Sequence, residues 1–163
     1  MPNYEIHFDI CALILYIMCL IVYFSKKDTK KLQNKVFMLV LLNGLTASIA
    51  DIAASLLMAH GTPSLYLAAD FCNYVYLAVH NALPATFCIY VIILTGSNKR
   101  MPPVVFTAFF MPFAVALLGI LLNPITHAVF YYDAQHVYHH SWFMVYLYAD
   151  CALYFCVVMF YIL

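Results

Sequence analysis

The stretch from Leu65 to Leu94 is apolar enough to sit in lipid, yet it carries Asp70, Asn73, His80, Asn81 and Pro84. At about 100° per residue, Asp70, Asn73, Tyr74, His80, Asn81, Pro84 and Cys88 fall within roughly one third of a helix circumference. A polar stripe of this kind cannot face acyl chains, because an unpaired polar group in hydrocarbon costs several kcal/mol. Other helices must cover it, or a wet cavity must line it. A helix of this length spans about 45 Å, more than the roughly 30 Å hydrocarbon core, so the end around Asp70 is expected to reach the interface. Pro84 is expected to kink it.

The rest of the chain has the same character. Of its 163 residues, 67% are hydrophobic and 9% charged, which no soluble domain of this size can bury. The expectation is a single all-α integral membrane domain. Its five transmembrane helices lie near 10–24, 36–59, 65–94, 104–122 and 142–163. The basic residues Lys26, Lys27, Lys30, Lys31, Lys35, Lys99 and Arg100 fall only between spans one and two and between spans three and four. The positive-inside rule puts both loops in the cytoplasm, and with them the C-terminus; the N-terminus and the 60–64 and 123–141 segments face outward. The polar head MPNYEIHFD lacks a basic region and a small-residue cleavage site, so no removable signal peptide is expected. All six cysteines lie in apolar runs and read as packing residues.

In the second span Gly44, Ala47, Ser48, Asp51, Ala54 and Ser55 share one face, and small residues at this spacing let helices approach closely. Asp51 sits in its middle. Insertion of an Asp at the centre of a span costs roughly 2.5–3.5 kcal/mol, which implies a partner or protonation. Asn73, His80 and Asn81 of the third span are the expected partners. In the first span Asp9, Tyr16 and Tyr23 recur every seven residues and form one adhesive face. In the fifth, Tyr146 and Tyr154 flank Asp150 by one turn on either side and are expected to donate hydrogen bonds to it. Asp51, Asn73, His80, Asn81 and Asp150 are therefore the candidate sensing residues. The competing reading is interhelical glue, which Asn43, Thr46 and Asn73 suit best.

Between spans four and five, 128–132 and 136–140 are two β-prone runs about a turn at Asp133, Ala134 and Gln135. They read as a short extracytoplasmic hairpin on the membrane surface. Its histidines His136, His139 and His140, with His127 nearby, are weak metal candidates without closed-site spacing. They read first as solvated loop residues. No cofactor is expected. Nucleotide-binding glycine loops, a Ser-His-Asp order and a His-Glu-x-x-His motif are all absent, so the chain is not expected to be an enzyme or to bind nucleic acid.

Several short motifs stand in a familiar order. They are Tyr4-x-x-His7-Phe8-Asp9, Gln33-Asn34-Lys35-x-Phe37, Asp51-Ile52, Asn73-Tyr74-x-Tyr76, His80-Asn81-x-x-Pro84, Tyr90-x-x-x-Leu94-Thr95, Asn123-Pro124, Phe130-Tyr131-x-Asp133 and Val137-Tyr138. Together they resemble the N-terminal multi-helix membrane region of bacterial GGDEF-type diguanylate cyclases, related to the seven-helix input regions of sensor histidine kinases. The resemblance implies an outside N-terminus, about seven helices and a cytoplasmic output domain, in a bacterial plasma membrane. This chain departs from that pattern: it ends within the fifth span and has no GGDEF sequence or kinase core. The expectation is a sensory input module cut short of its output domain. Its expected partners are the lipid bilayer, a second copy of the chain, and a GGDEF or histidine-kinase output domain. The alternatives are a small carrier-like transporter subunit, an intramembrane enzyme built on an Asp–His pair, and a non-functional remnant.

The layout is testable by labelling. With the native cysteines replaced, a cysteine at Lys27 or Lys99 should react with a membrane-impermeant maleimide only after the cells are permeabilised. A cysteine at Gln135 should react in intact cells.

Overall fold

A computed structural model describes residues 6–25, 31–59, 62–97, 102–133 and 137–162. Side chains at Pro63, Ser64 and Pro103 lie outside the description. The elements run α1 (His7–Ser25), α2 (Leu32–Ala59), α3 (Pro63–Leu94), α4 (Pro103–Thr126), β1 (Phe130–Tyr132), β2 (Tyr138–His140) and α5 (Met144–Ile162). All five helices are long and apolar enough to cross a membrane. Of the basic residues, only Lys31 and Lys35 fall within the described segments.

The stripe on α3 explains why this helix is central. It packs along α2 on one side and against α4 and α5 on the other, while α1 lies mainly on α2. Asn81, Pro84 and Cys88 are all buried, as a stripe excluded from lipid requires. The small residues of α2 serve close approach: Gly44, Ala47, Ser48 and Ala54 are buried. A Cβ at Gly44 would overlap the ring of Tyr16, so α1 seats an aromatic plate where α2 offers no side chain. Asn43 adds a cross-link, donating to the Thr86 hydroxyl at 3.2 Å. Thr46, expected to act as glue, is exposed on the opposite face of α2.

Helix α4 is, after α1, the least enclosed, with Val104, Met111, Leu118, Leu121 and Ile125 all exposed. It carries Pro112 and Pro124 inside the helix. Pro112 has no N–H for the carbonyl one turn back, which loosens the ladder there. Two tyrosines of α5 bind backbone in this region. Tyr154 Oη donates to the Phe109 carbonyl at 2.8 Å and Tyr146 Oη to the Pro112 carbonyl at 2.9 Å. The hydroxyls expected to serve Asp150 are therefore turned toward α4.

The hairpin forms with antiparallel register Phe130↔His140, Tyr131↔His139 and Tyr132↔Tyr138. It tucks into the end of the bundle rather than lying flat. Val129 and Phe130 are buried with Leu77, Ala116, Ile120, Met144 and Leu147. What holds it is Asn123, which is 1% exposed. Its Oδ1 accepts from the Val129 N–H at 2.7 Å and the Phe130 N–H at 3.2 Å, and its Nδ2 donates to the Phe130 carbonyl at 3.1 Å. Helix α4 consequently runs past Asn123-Pro124 to Thr126 and ends on His127, whose φ of 49° is left-handed.

Replacing Asn123 with Ala orphans two buried N–H groups, at about 1–3 kcal/mol each. Limited chymotrypsin digestion should then cut at Phe130–Tyr132 at protein concentrations and times where the parent chain resists, with the helices left intact.

Candidate functional site

The hairpin end of the bundle gathers the starts of α1, α3 and α5 and the end of α2. Ionisable and aromatic side chains meet there. Asp51 projects from the small-residue face of α2, within hydrogen-bonding reach of the Asp9 carboxyl in the first turn of α1. Asp9 in turn lies close enough to His80 of α3 to act on its charge. Tyr76, one turn before His80, stacks obliquely on the imidazole with ring centroids 5.2 Å apart. Tyr76 also feels the charges of Asp51 and Asp9, and it neighbours Tyr148 and Cys151 of α5.

A carboxylate only accepts hydrogen bonds. Two carboxyls within hydrogen-bonding reach therefore satisfy each other only when one of them carries a proton; without it, two like charges face each other in a low-dielectric setting. The expected partners of Asp51 were Asn73, His80 and Asn81. Its partner is Asp9, from the helix whose adhesive face Tyr16 and Tyr23 also form.

Above this cluster the hairpin closes a cavity of about 70 Å³, lined in part by Tyr76, His80, Asn81, Tyr138, His140 and Cys151. That volume holds one or two waters. Tyr138, from β2, is pushed above the ordinary tyrosine pKa by burial, with Tyr148, Tyr76 and Asp51 adding to it. It therefore stays a neutral donor over the pH range of living cells. Asn81 is committed locally: its Nδ2 donates to the Leu77 carbonyl at 2.9 Å, and its Oδ1 accepts from Cys151 Sγ at 3.6 Å.

The other candidates lie elsewhere. Asn73 Nδ2 donates to Tyr132 Oη at 2.7 Å, and Tyr132 hydrogen-bonds Asp70. Burial first, then Asp70, raises the Tyr132 hydroxyl pKa. Asp150 faces away from the cavity into the helix packing, 3% exposed, with no hydrogen-bond partner for either oxygen. The five candidates therefore occupy three places: Asp51, His80 and Asn81 at the hairpin end, Asn73 on its flank, and Asp150 apart.

The described hairpin histidines, His139 and His140, do not converge. His139 Nε2 meets Asp133 Oδ2 at 3.0 Å and stacks on Tyr131 at 5.3 Å, while His140 stands edge-on to Tyr138 at 5.1 Å. His136 lies outside the described residues. Among the described residues no three His, Cys, Asp or Glu side chains are placed to hold a metal ion.

Several members of the cluster were not among the sequence candidates. Asp9 had a signal in its heptad spacing with Tyr16 and Tyr23, and Tyr76 in its one-turn spacing from His80. Tyr138, Tyr148 and Cys151 had none, since only the docking of hairpin and α5 brings them in. No family model, curated protein or solved structure matches this chain.

The shared proton makes a specific demand. Asp51→Asn supplies an N–H to Asp9 and should keep the thermal midpoint in detergent within a few degrees of the parent. Asp51→Leu leaves Asp9 without a partner and should lower stability by about 1–3 kcal/mol.

Proposed function

We propose that this chain is the membrane-embedded input module of a bacterial signalling protein of the cyclic di-GMP or two-component type. It works in the plasma membrane with the hairpin outside and passes its state to a GGDEF or histidine-kinase output domain on the cytoplasmic side, as a dimer. The order of motifs from Tyr4 to Tyr138 supports the family. The observation that carries the sensory reading is the Asp9–Asp51 contact beside His80, roofed by a hairpin. It couples α1, α2 and α3 through a group whose state depends on what reaches it from the hairpin end.

A module of this kind needs two packings and a stimulus that prefers one of them. The shared proton supplies the preference. With the proton in place α1 is held to α2; with it lost, two carboxylates repel and α1 is driven outward. The groups that act on the pair are Tyr76 and His80 of α3 and Tyr138 of β2, with His140 of β2 and Tyr148 and Cys151 of α5 lining the cavity beside them. The low-pH state is the closed one, and it opens as pH rises. A ligand entering the cavity acts on the same equilibrium by competing for these groups.

The test is a chimaera carrying this chain ahead of a diguanylate cyclase domain in cells, with cyclic di-GMP measured as external pH is stepped. Output should change with pH in the parent and be held at its low-pH level in Asp51→Asn. A response identical in the two, at equal membrane levels, would exclude the pair from signalling.

A further inference from the structure

On the flank of the hairpin end, separate from the roofed cluster, a groove of about 1200 Å³ lies between the start of α3, the end of α4 and β1. Its wall is a continuous aromatic surface. Tyr74 packs on Phe130 with centroids 5.2 Å apart, and Phe130 meets Tyr132 edge-on at 5.8 Å. Both hydroxyls are tied down. Asn123 Nδ2 donates to Tyr74 Oη at 3.2 Å and Asn73 Nδ2 to Tyr132 Oη at 2.7 Å. Because Tyr132 Oη accepts from Asn73, its own hydrogen goes to Asp70. That bond orients the Asp70 carboxyl in the groove and uses one of its roughly four acceptor sites. The remaining side is open and apolar, where Leu67 is 80% and Phe71 68% exposed.

We infer that this groove binds an ammonium-bearing amphiphile: a primary or quaternary amine attached to an apolar chain. Three observations select that chemistry. Among the described lining residues, which include His127, Asp70 is the acidic group and no Lys or Arg accompanies it, so the groove favours a cation over an anion. Phe71 and Tyr131 line the groove as exposed rings, and an aromatic ring attracts an organic cation, which a carboxylate alone does not single out. A divalent metal ion requires several oxygen ligands, and the described lining residues offer a single carboxyl.

The volume and position fit as well. The groove exceeds the roughly 300–1000 Å³ of an ordinary small-molecule pocket, which leaves room for a headgroup and part of a chain. Asp70 lies near the start of α3, a helix longer than the hydrocarbon core is thick, so the groove sits at headgroup depth, with Leu67 and Phe71 exposed beside the carboxyl. The inference does not rest on the signalling reading.

The experiment is calorimetric titration of hexyltrimethylammonium into the purified chain in phosphatidylglycerol nanodiscs, with protein-free discs as the blank. Hexyl sulfate and hexyl glucoside are titrated alongside. Saturable binding of the ammonium alone is expected, weakened about ten-fold or more in Asp70→Asn, as loss of a charged partner demands. Phe71→Ala, an exposed position outside the core, should weaken it while leaving the thermal midpoint unchanged, which separates lost binding from lost folding. Doping the discs with phosphatidylethanolamine distinguishes the source: competition identifies a lipid headgroup, and an unchanged curve identifies a free amine. Absence of saturable binding, equal binding of the sulfate or glucoside, or full affinity in both variants would overturn the inference.

Discussion

Lipid offers no partner to a polar group, and that constraint organises the molecule. Each buried carboxyl, amide or hydroxyl must find its match within the protein or give up its charge. Helix α3 carries more such groups than any other, so it takes the central position, and α2, α4 and α5 are arranged by what they offer its stripe. Asn43 reaches Thr86, Asn123 reaches Tyr74, and Cys151 reaches Asn81. Helices α1 and α4, richest in unaccompanied aliphatic residues, are left on the outside with those residues turned outward.

The same constraint builds the hairpin into the fold. Two short strands are not stable alone. Here Asn123 supplies backbone partners that water would supply in a soluble loop, and Phe130 fills the end of the α3–α4–α5 core. The hairpin is thereby a roof over the Asp9–Asp51–His80 cluster on one side and a wall of the aromatic groove on the other. Tyr132 and Tyr138 stand opposite each other in the strand register and serve the two compartments separately. Movement of the hairpin necessarily alters both.

Much of this is written in local pattern. Apolar runs mark the five helices, the small-residue face of α2 marks its packing side, and the β-prone runs around Asp133 mark the hairpin. What periodicity cannot supply is which helix meets which. Asp51 needed a partner, and its closeness to Asp9 depends on α1 docking through Tyr16 onto Gly44, a contact between segments far apart in the chain. Asn123-Pro124 reads as a loop because both residues favour turns; it continues a helix because the Asn side chain is consumed by the hairpin backbone. Tyr146 and Tyr154 read as donors to Asp150 by spacing, but the carbonyls around Pro112 on a neighbouring helix compete for them and win. Tyr23 and Tyr154 are buried and Tyr74, Tyr76, Tyr132, Tyr138 and Tyr146 partly so, where an apolar ring with a hydroxyl tip suits an interior that still needs donors.

The account turns on the meeting of α1 and α2 beneath the hairpin. Its most direct measurement is disulfide cross-linking in native membranes of a chain with cysteines at positions 9 and 51 and the native cysteines removed. A pair at positions 16 and 44 reports independently on the docking of the two helices. Rapid cross-linking of both pairs on mild oxidation is predicted. Cross-linking at 16 and 44 without any at 9 and 51 would contradict the shared carboxyl contact on which the sensory reading stands.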